Sequence, residues 1–110
     1  MESRTELLRG TLDLLILRSL ALQPLHGLAV ARRIGQMTRG TFDVKPGSLF
    51  PALYRLDERG LVAAGWGESD TRRRVKFYRL TPAGRKRLAV EEAQWRRVAT
   101  AMTHALEGDA

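Results

Sequence analysis

The chain has 110 residues, enough for one compact core and too few for two ordinary domains. Its 19 Lys and Arg against 12 Asp and Glu give a formal net charge of +7, which favours a polyanionic partner, nucleic acid before a membrane surface. With no cysteine, disulfide frameworks and thiolate metal sites are excluded; the most apolar stretch, Leu12 to Leu22, contains Asp13 and Arg18 and is about half as long as a bilayer span, so a cytoplasmic protein is expected.

Leu12, Leu15 and Leu22, with Leu8 and Ile16, recur at helical spacing, and Thr11 reads as the N-cap of a first helix that Gln23-Pro24 stops. His26-Gly27 opens a second segment. There Leu25, Val30, Ile34 and Met37 share one face, and Arg32, Arg33 and Gln36 the other, up to Thr38–Gly40. His26 itself reads as a cap or a packed side chain.

A third helix begins at Lys45-Pro46-Gly47-Ser48, with Pro46 suited to the first helical position. Leu49, Leu53 and Leu56 form its buried stripe, and Gly60 stands where a left-handed C-terminal cap belongs, with Leu61 folding back. Pro51 lacks an N–H and crowds the preceding turn, so a bend or a late start to regular hydrogen bonding is expected there.

Two β-prone runs follow, Leu61–Trp66 and Val75–Leu80, joined by the glycine- and charge-rich stretch 67–74, which predicts a hairpin with a long tip. Lys76, Tyr78 and Leu80 share one face of the second strand, and Val75, Phe77 and Arg79 the other; one face should meet the core. Thr81-Pro82 has the cap-then-proline order of a helix start. From Ala83 to about Leu106, the residues Leu88, Trp95, Val98, Ala99, Met102 and Leu106 form a stripe too long for so small a core to cover, which predicts a partner helix from a second copy of the chain. The expected fold is mainly α with a small β-hairpin. A helical and hairpin part (1–81) is followed by a C-terminal dimerisation helix (82–110), in one compact body.

Charge is concentrated. Between Thr71 and Val90 stand eight basic residues, Arg72, Arg73, Arg74, Lys76, Arg79, Arg85, Lys86 and Arg87, and no acidic one. Adjacent guanidinium groups at Arg72–Arg74 repel one another, so a polyanion is a better account of them than a solvated loop tip. No set of His and carboxylates has metal-ligand spacing, and no cofactor is implied. Glu91-Glu92 and Asp57-Glu58 are neighbours that point apart on helices, and Ser48 and Ser69 lack a nearby base. No enzyme is expected.

Three helices followed by a two-stranded wing is the winged variant of the helix-turn-helix. The residues go further: Leu8-Arg9-Gly10-Thr11-Leu12-Asp13, His26-Gly27, Gly47-Ser48-Leu49-Phe50-Pro51-Ala52-Leu53-Tyr54-Arg55-Leu56, Gly60-Leu61-Val62 and Tyr78-Arg79-Leu80-Thr81-Pro82-Ala83-Gly84. In these stretches the chain resembles the PadR family of bacterial transcriptional regulators, in particular short members with a single C-terminal helix. The resemblance implies a repressor-type homodimer on operator DNA, with helix three in the major groove and the wing on the flanking backbone or minor groove. Family members commonly carry tyrosine where this chain has Phe50, so Phe50 keeps a packing role without a hydroxyl for a phosphate.

On this basis the expected DNA contacts are Lys45, Ser48 and Leu49 near the start of helix three, Tyr54 and Arg55 on its outward side, and Arg72, Arg73, Arg74 and Lys76 in the wing. Trp66 reads as packing. The expected dimer contacts are Leu88, Trp95, Val98, Ala99, Met102 and Leu106. The resemblance also allows a small aromatic effector between subunits, against Trp95. Two rival readings are a basic RNA-binding or ribosome-associated protein, which leaves the apolar last helix unexplained, and a winged-helix interaction adaptor, which leaves the basic segment unexplained.

Overall fold

The computed structural model describes the backbone of residues 3–108 and the side chains of residues 10–108. Leu8, expected on the first apolar stripe, lies outside the described side chains. In chain order the elements are α1 (Ser3–Ser19), β1 (Leu25–His26), α2 (Gly27–Met37), α3 (Pro46–Glu58), β2 (Val62–Glu68), β3 (Arg74–Leu80) and α4 (Pro82–Glu107).

The first helix differs from expectation at both ends. It begins well before Thr11, because Glu6-Leu7-Leu8-Arg9 are strong helix formers and outweigh the local capping signal of a threonine. It ends at Ser19, ahead of Gln23-Pro24. There the buried Ser19 hydroxyl donates to the Ile16 carbonyl at 2.7 Å, and the Ala21 N–H turns back to the Arg18 carbonyl at 3.1 Å, tightening the last turn. The early stop frees Leu25–His26 to pair with β3.

Two residues are too few to show a period, so this pairing leaves no signal in the sequence. It makes the hairpin a three-stranded antiparallel sheet of order β1-β3-β2, with Leu25 opposite Tyr78 and His26 opposite Phe77. Leu25 therefore belongs to the sheet and not to the apolar face of α2. His26 caps α2, its Nδ1 accepting from the Ala29 N–H at 3.3 Å, while its ring meets Phe77 edge-on at 5.8 Å.

Helix α3 starts at Pro46 and runs unbroken through Pro51. Regular bonding is already in place at Leu49 N–H to Lys45 C=O (2.9 Å), so no late start occurs. Leu49, Ala52, Leu53 and Leu56 are fully buried against Ile16, Leu17, Leu20, Val30 and Ile34. Each large side chain of this kind contributes about 1.5–3 kcal/mol by leaving water. The helix ends as expected: Gly60 takes φ +74° and the Leu61 N–H reaches back to the Leu56 carbonyl at 2.9 Å.

The strands of the hairpin are longer, and its tip shorter, than predicted. Val62 pairs with Leu80 at the root and Glu68 with Arg74 at the end, leaving 69–73 as a closed loop. Ser69 N–H bonds the Arg73 carbonyl at 2.8 Å and Arg72 N–H the Ser69 carbonyl at 2.9 Å. One face of β3 meets the core, and it is that of Tyr78 and Leu80; Lys76 on the same face is exposed because the hairpin has by then passed the edge of the helices.

Helix α4 is built onto the root of this hairpin. Thr81 Oγ1 accepts from the Gly84 N–H at 2.9 Å and donates to the Gly60 carbonyl at 2.6 Å, and the Thr81 N–H bonds the Leu61 carbonyl at 3.2 Å. A Cβ on Gly84 would lie 1.9 Å from the Leu61 carbonyl oxygen. No rotamer change relieves a clash with backbone. Gly84→Ala is therefore expected to lower stability by about 2–3 kcal/mol, read as the shift of a urea unfolding midpoint; an unchanged midpoint would show that α4 does not start on the Leu61 carbonyl.

Candidate nucleic-acid interface

The burial of one α3 face fixes what the other presents. Ser48, Phe50, Pro51 and Tyr54 are exposed on the outward side. Leu49, expected to touch DNA, is fully buried: one position past Ser48 on a helix turns its side chain about 100° into the core. Arg55 is also corrected. Its guanidinium turns toward α1, where Nη2 lies 3.3 Å from Asp13 Oδ1, and its side chain is two-thirds covered, so it ties two helices together.

Lys45 precedes α3 and is exposed, with Nζ 2.7 Å from Asp43 Oδ2. Both side chains are open to water, so the pair is weak and a phosphate can displace the carboxylate. A hydrogen bond to Glu58, and then that carboxylate's charge, push the Tyr54 phenol up from its ordinary value. At neutral pH its hydroxyl is a donor.

Phe50 has a definite seat. Its ring occupies the space where a Cβ on Gly27 would be, 2.6 Å from the nearest ring carbon, so the absence of a side chain at the start of α2 lets α3 close against it. Beyond Phe50 a groove of about 790 Å³ runs between the helices and the wing. Arg32 of α2 and Arg73 and Lys76 of the wing line it, with Trp66, Phe50 and a single acid, Asp70. The sequence pattern places Arg32 only on the polar face of α2; its approach to the wing depends on tertiary packing that no local pattern reveals.

Arg72, Arg73, Arg74 and Lys76 are all exposed. Trp66, expected to pack, is 61% exposed, because the strand that carries it projects past the helices that cover Val62. Arg74 and Lys76 lie over its ring, with the guanidinium carbon 4.7 Å and Nζ 5.6 Å from the ring centre.

Along α4 the predicted stripe divides. Leu88 is 7% exposed and belongs to the chain's own core, since the second turn of α4 lies over the helical body. It is thus unavailable to a partner. Trp95, Val98, Met102 and Leu106 are half or more exposed and Ala99 is half-buried. Leu14, Leu15 and Arg18 of α1 face Glu92, Trp95 and Ala99 across a second groove of about 350 Å³, spanned by Arg18 Nη1 to Glu92 Oε2 at 3.6 Å. Among the described residues no helix is long and apolar enough to cross a membrane, and no group of His and carboxylates could hold a metal ion.

Residues 16–90 match the transcriptional regulator PadR-like family. The chain belongs to this family. A Mycobacterium tuberculosis relative, transcriptional regulator Rv3488, is 36% identical over 83 residues, 76% of this chain and 74% of that protein. A PadR family transcriptional regulator from Eggerthella lenta superposes with a TM-score of 0.76 at 30% identity, covering 98% of this chain and 92% of the other. A transcriptional regulator from Clostridium thermocellum gives 0.78 at 26% identity, with 89% and 95% covered. The four helices, the small sheet and the long last helix are those of PadR-like winged-helix proteins, which are DNA-binding transcriptional regulators and not enzymes. Membership also sets aside the RNA-binding and adaptor readings.

The corrected role of Leu49 separates stability from binding. Leu49→Ala is expected to cost about 3 kcal/mol of unfolding free energy, whereas Ser48→Ala next to it stays within about 0.5 kcal/mol. Denaturant unfolding of the two variants checks this; equal stabilities would return Leu49 to the surface.

Proposed function

We propose that this PadR-like regulator binds duplex DNA sequence-specifically as a homodimer and represses transcription by occupying a palindromic operator. The observation that carries the reading is the groove between α2, α3 and the wing, where Arg32, Arg73 and Lys76 face one acid in a chain of net charge +7. Phosphates are drawn to that cationic rim, and the protruding start of α3 is left to meet base edges in the major groove. Lys45 just before α3 and Ser48 and Tyr54 on it are the major-groove contacts in this reading, and Arg72, Arg73, Arg74 and Lys76 grip backbone or minor groove. Residues 1–81 supply this DNA-binding part.

Residues 82–110 supply the dimer. A single chain leaves Trp95, Val98, Met102 and Leu106 in water along one side of α4, and a two-fold copy covers them with the same surface. Two α3 helices then address half-sites about one helical turn apart. A planar aromatic effector suits the groove beside Trp95, and would act by favouring a dimer geometry that no longer matches that spacing. Such a regulator works in the cytoplasm, with its operator.

Two kinds of measurement test the reading. Titration of a fluorescent duplex from the chain's own upstream region, against a random duplex across a salt series, is expected to show preference for the former; equal affinity for both ends the sequence-specific reading. Replacing Arg72, Arg73 and Arg74 with alanine should weaken binding to any duplex and reduce the salt slope by about one for each phosphate no longer neutralised; an unchanged slope removes the wing from the interface. Sedimentation of Trp95→Glu is expected to give monomers from a wild-type dimer, and a persisting dimer would place the interface elsewhere.

A further inference from the structure

Trp66 is an expensive residue to leave in water, and its surroundings give it a specific use. It stands directly opposite Lys76 in the β2–β3 register, with Arg74, itself opposite Glu68, two pairs further toward the tip. Both cations lie over its ring, at 5.6 and 4.7 Å from the centre, so they can be no more than about 10.3 Å apart, the sum of the two distances. The ring borders the large groove beside Arg73 and Lys76 and also a smaller one, about 320 Å³, beside Arg72 and Arg74. Among the described residues neither Arg74 nor Lys76 has an ion-pair partner.

A cation held over an aromatic face spends none of its N–H donors, so both groups remain able to bond phosphate oxygens. The same contact restricts two long side chains that otherwise lose their rotamer freedom at the moment of binding. The ring contacts both like charges without neutralising either, an arrangement that gains most when a polyanion arrives.

We propose that Trp66 is the positioning residue of a two-cation phosphate clamp: its ring presets Arg74 and Lys76 to take the backbone of one DNA strand as a unit. The clamp rests on the duplex-binding reading given under Proposed function. It acts on any sequence, because phosphates carry no base identity, and so sets affinity and not operator choice.

The test is a set of variants titrated against a random duplex by fluorescence anisotropy at low salt. Trp66→Leu keeps an apolar side chain and is expected to lose about fivefold in affinity, the low end of the cost of ordering two long side chains on binding. Its salt slope stays nearly unchanged, because no charge is removed. Trp66→Phe, which retains a ring, recovers part of the loss. In an Arg74→Ala/Lys76→Ala background, Trp66→Leu has no further effect. A further loss there as large as in the wild type overturns the clamp, since Trp66 would then act on DNA without the cations. Wild-type binding that Trp66→Leu leaves intact also overturns it, while the duplex-binding reading survives. Failure of the wild type itself to bind duplex removes both. Thermal unfolding of Trp66→Leu is expected to match the wild type, because the ring is exposed, and this separates a binding loss from a folding one.

Discussion

The Leu61 carbonyl is the point on which the two halves of the molecule are joined. It accepts the Thr81 N–H at 3.2 Å and lies where a Cβ of Gly84 would have to be. One residue earlier, Gly60 adopts φ +74° and its carbonyl takes the Thr81 hydroxyl at 2.6 Å. The end of α3, the root of the wing and the start of α4 thus meet within a few hydrogen bonds. Because the wing leaves this joint in one direction and α4 in another, the cationic groove and the exposed apolar stripe of α4 are held in fixed relation. A rigid joint of this kind is what a dimer needs if its helix spacing is to be read by DNA.

Much of the fold is legible because it is written in local chemistry. Pro46 at a first helical turn, Gly60 after a last one, and Thr81-Pro82 at the head of α4 each act within a few residues, and the structure bears them out. What is not legible depends on competition or on partners far along the chain. Thr11 yields its apparent capping role to the helix formers before it, and β1 exists only because Phe77 and Tyr78 are there to pair with it. The wing tip is shorter than its composition suggests because Gly67, Glu68 and Arg74 carry no strand period, yet cross-strand bonding recruits them.

The candidate site is legible in type more than in orientation. Charge and motif point to the basic segment and the protruding start of α3, but helix geometry turns Leu49 into the core and Arg55 toward Asp13, against the outward placement expected of both. A strict use of the 3.6-residue period excludes Leu49, since it belongs to the same row as Leu53 and Leu56. Leu88 departs for another reason: it continues the stripe of α4, and only the packing of α1 shows where the stripe passes from internal core to open surface. Trp66 departs in the opposite sense. Its alternation with Val62 and Ala64 points inward, and the hairpin simply outruns the body it would have packed on.

The central claim is that duplex DNA occupies the groove between α3 and the wing while the far part of α4 serves another surface. Amide chemical-shift mapping of the isotope-labelled protein with an upstream-region duplex tests this most directly. The account predicts shifts concentrated at 45–54 and 66–76, with the amides of 95–106 little changed. Shifts confined to α4, or a wing that does not respond, would contradict it.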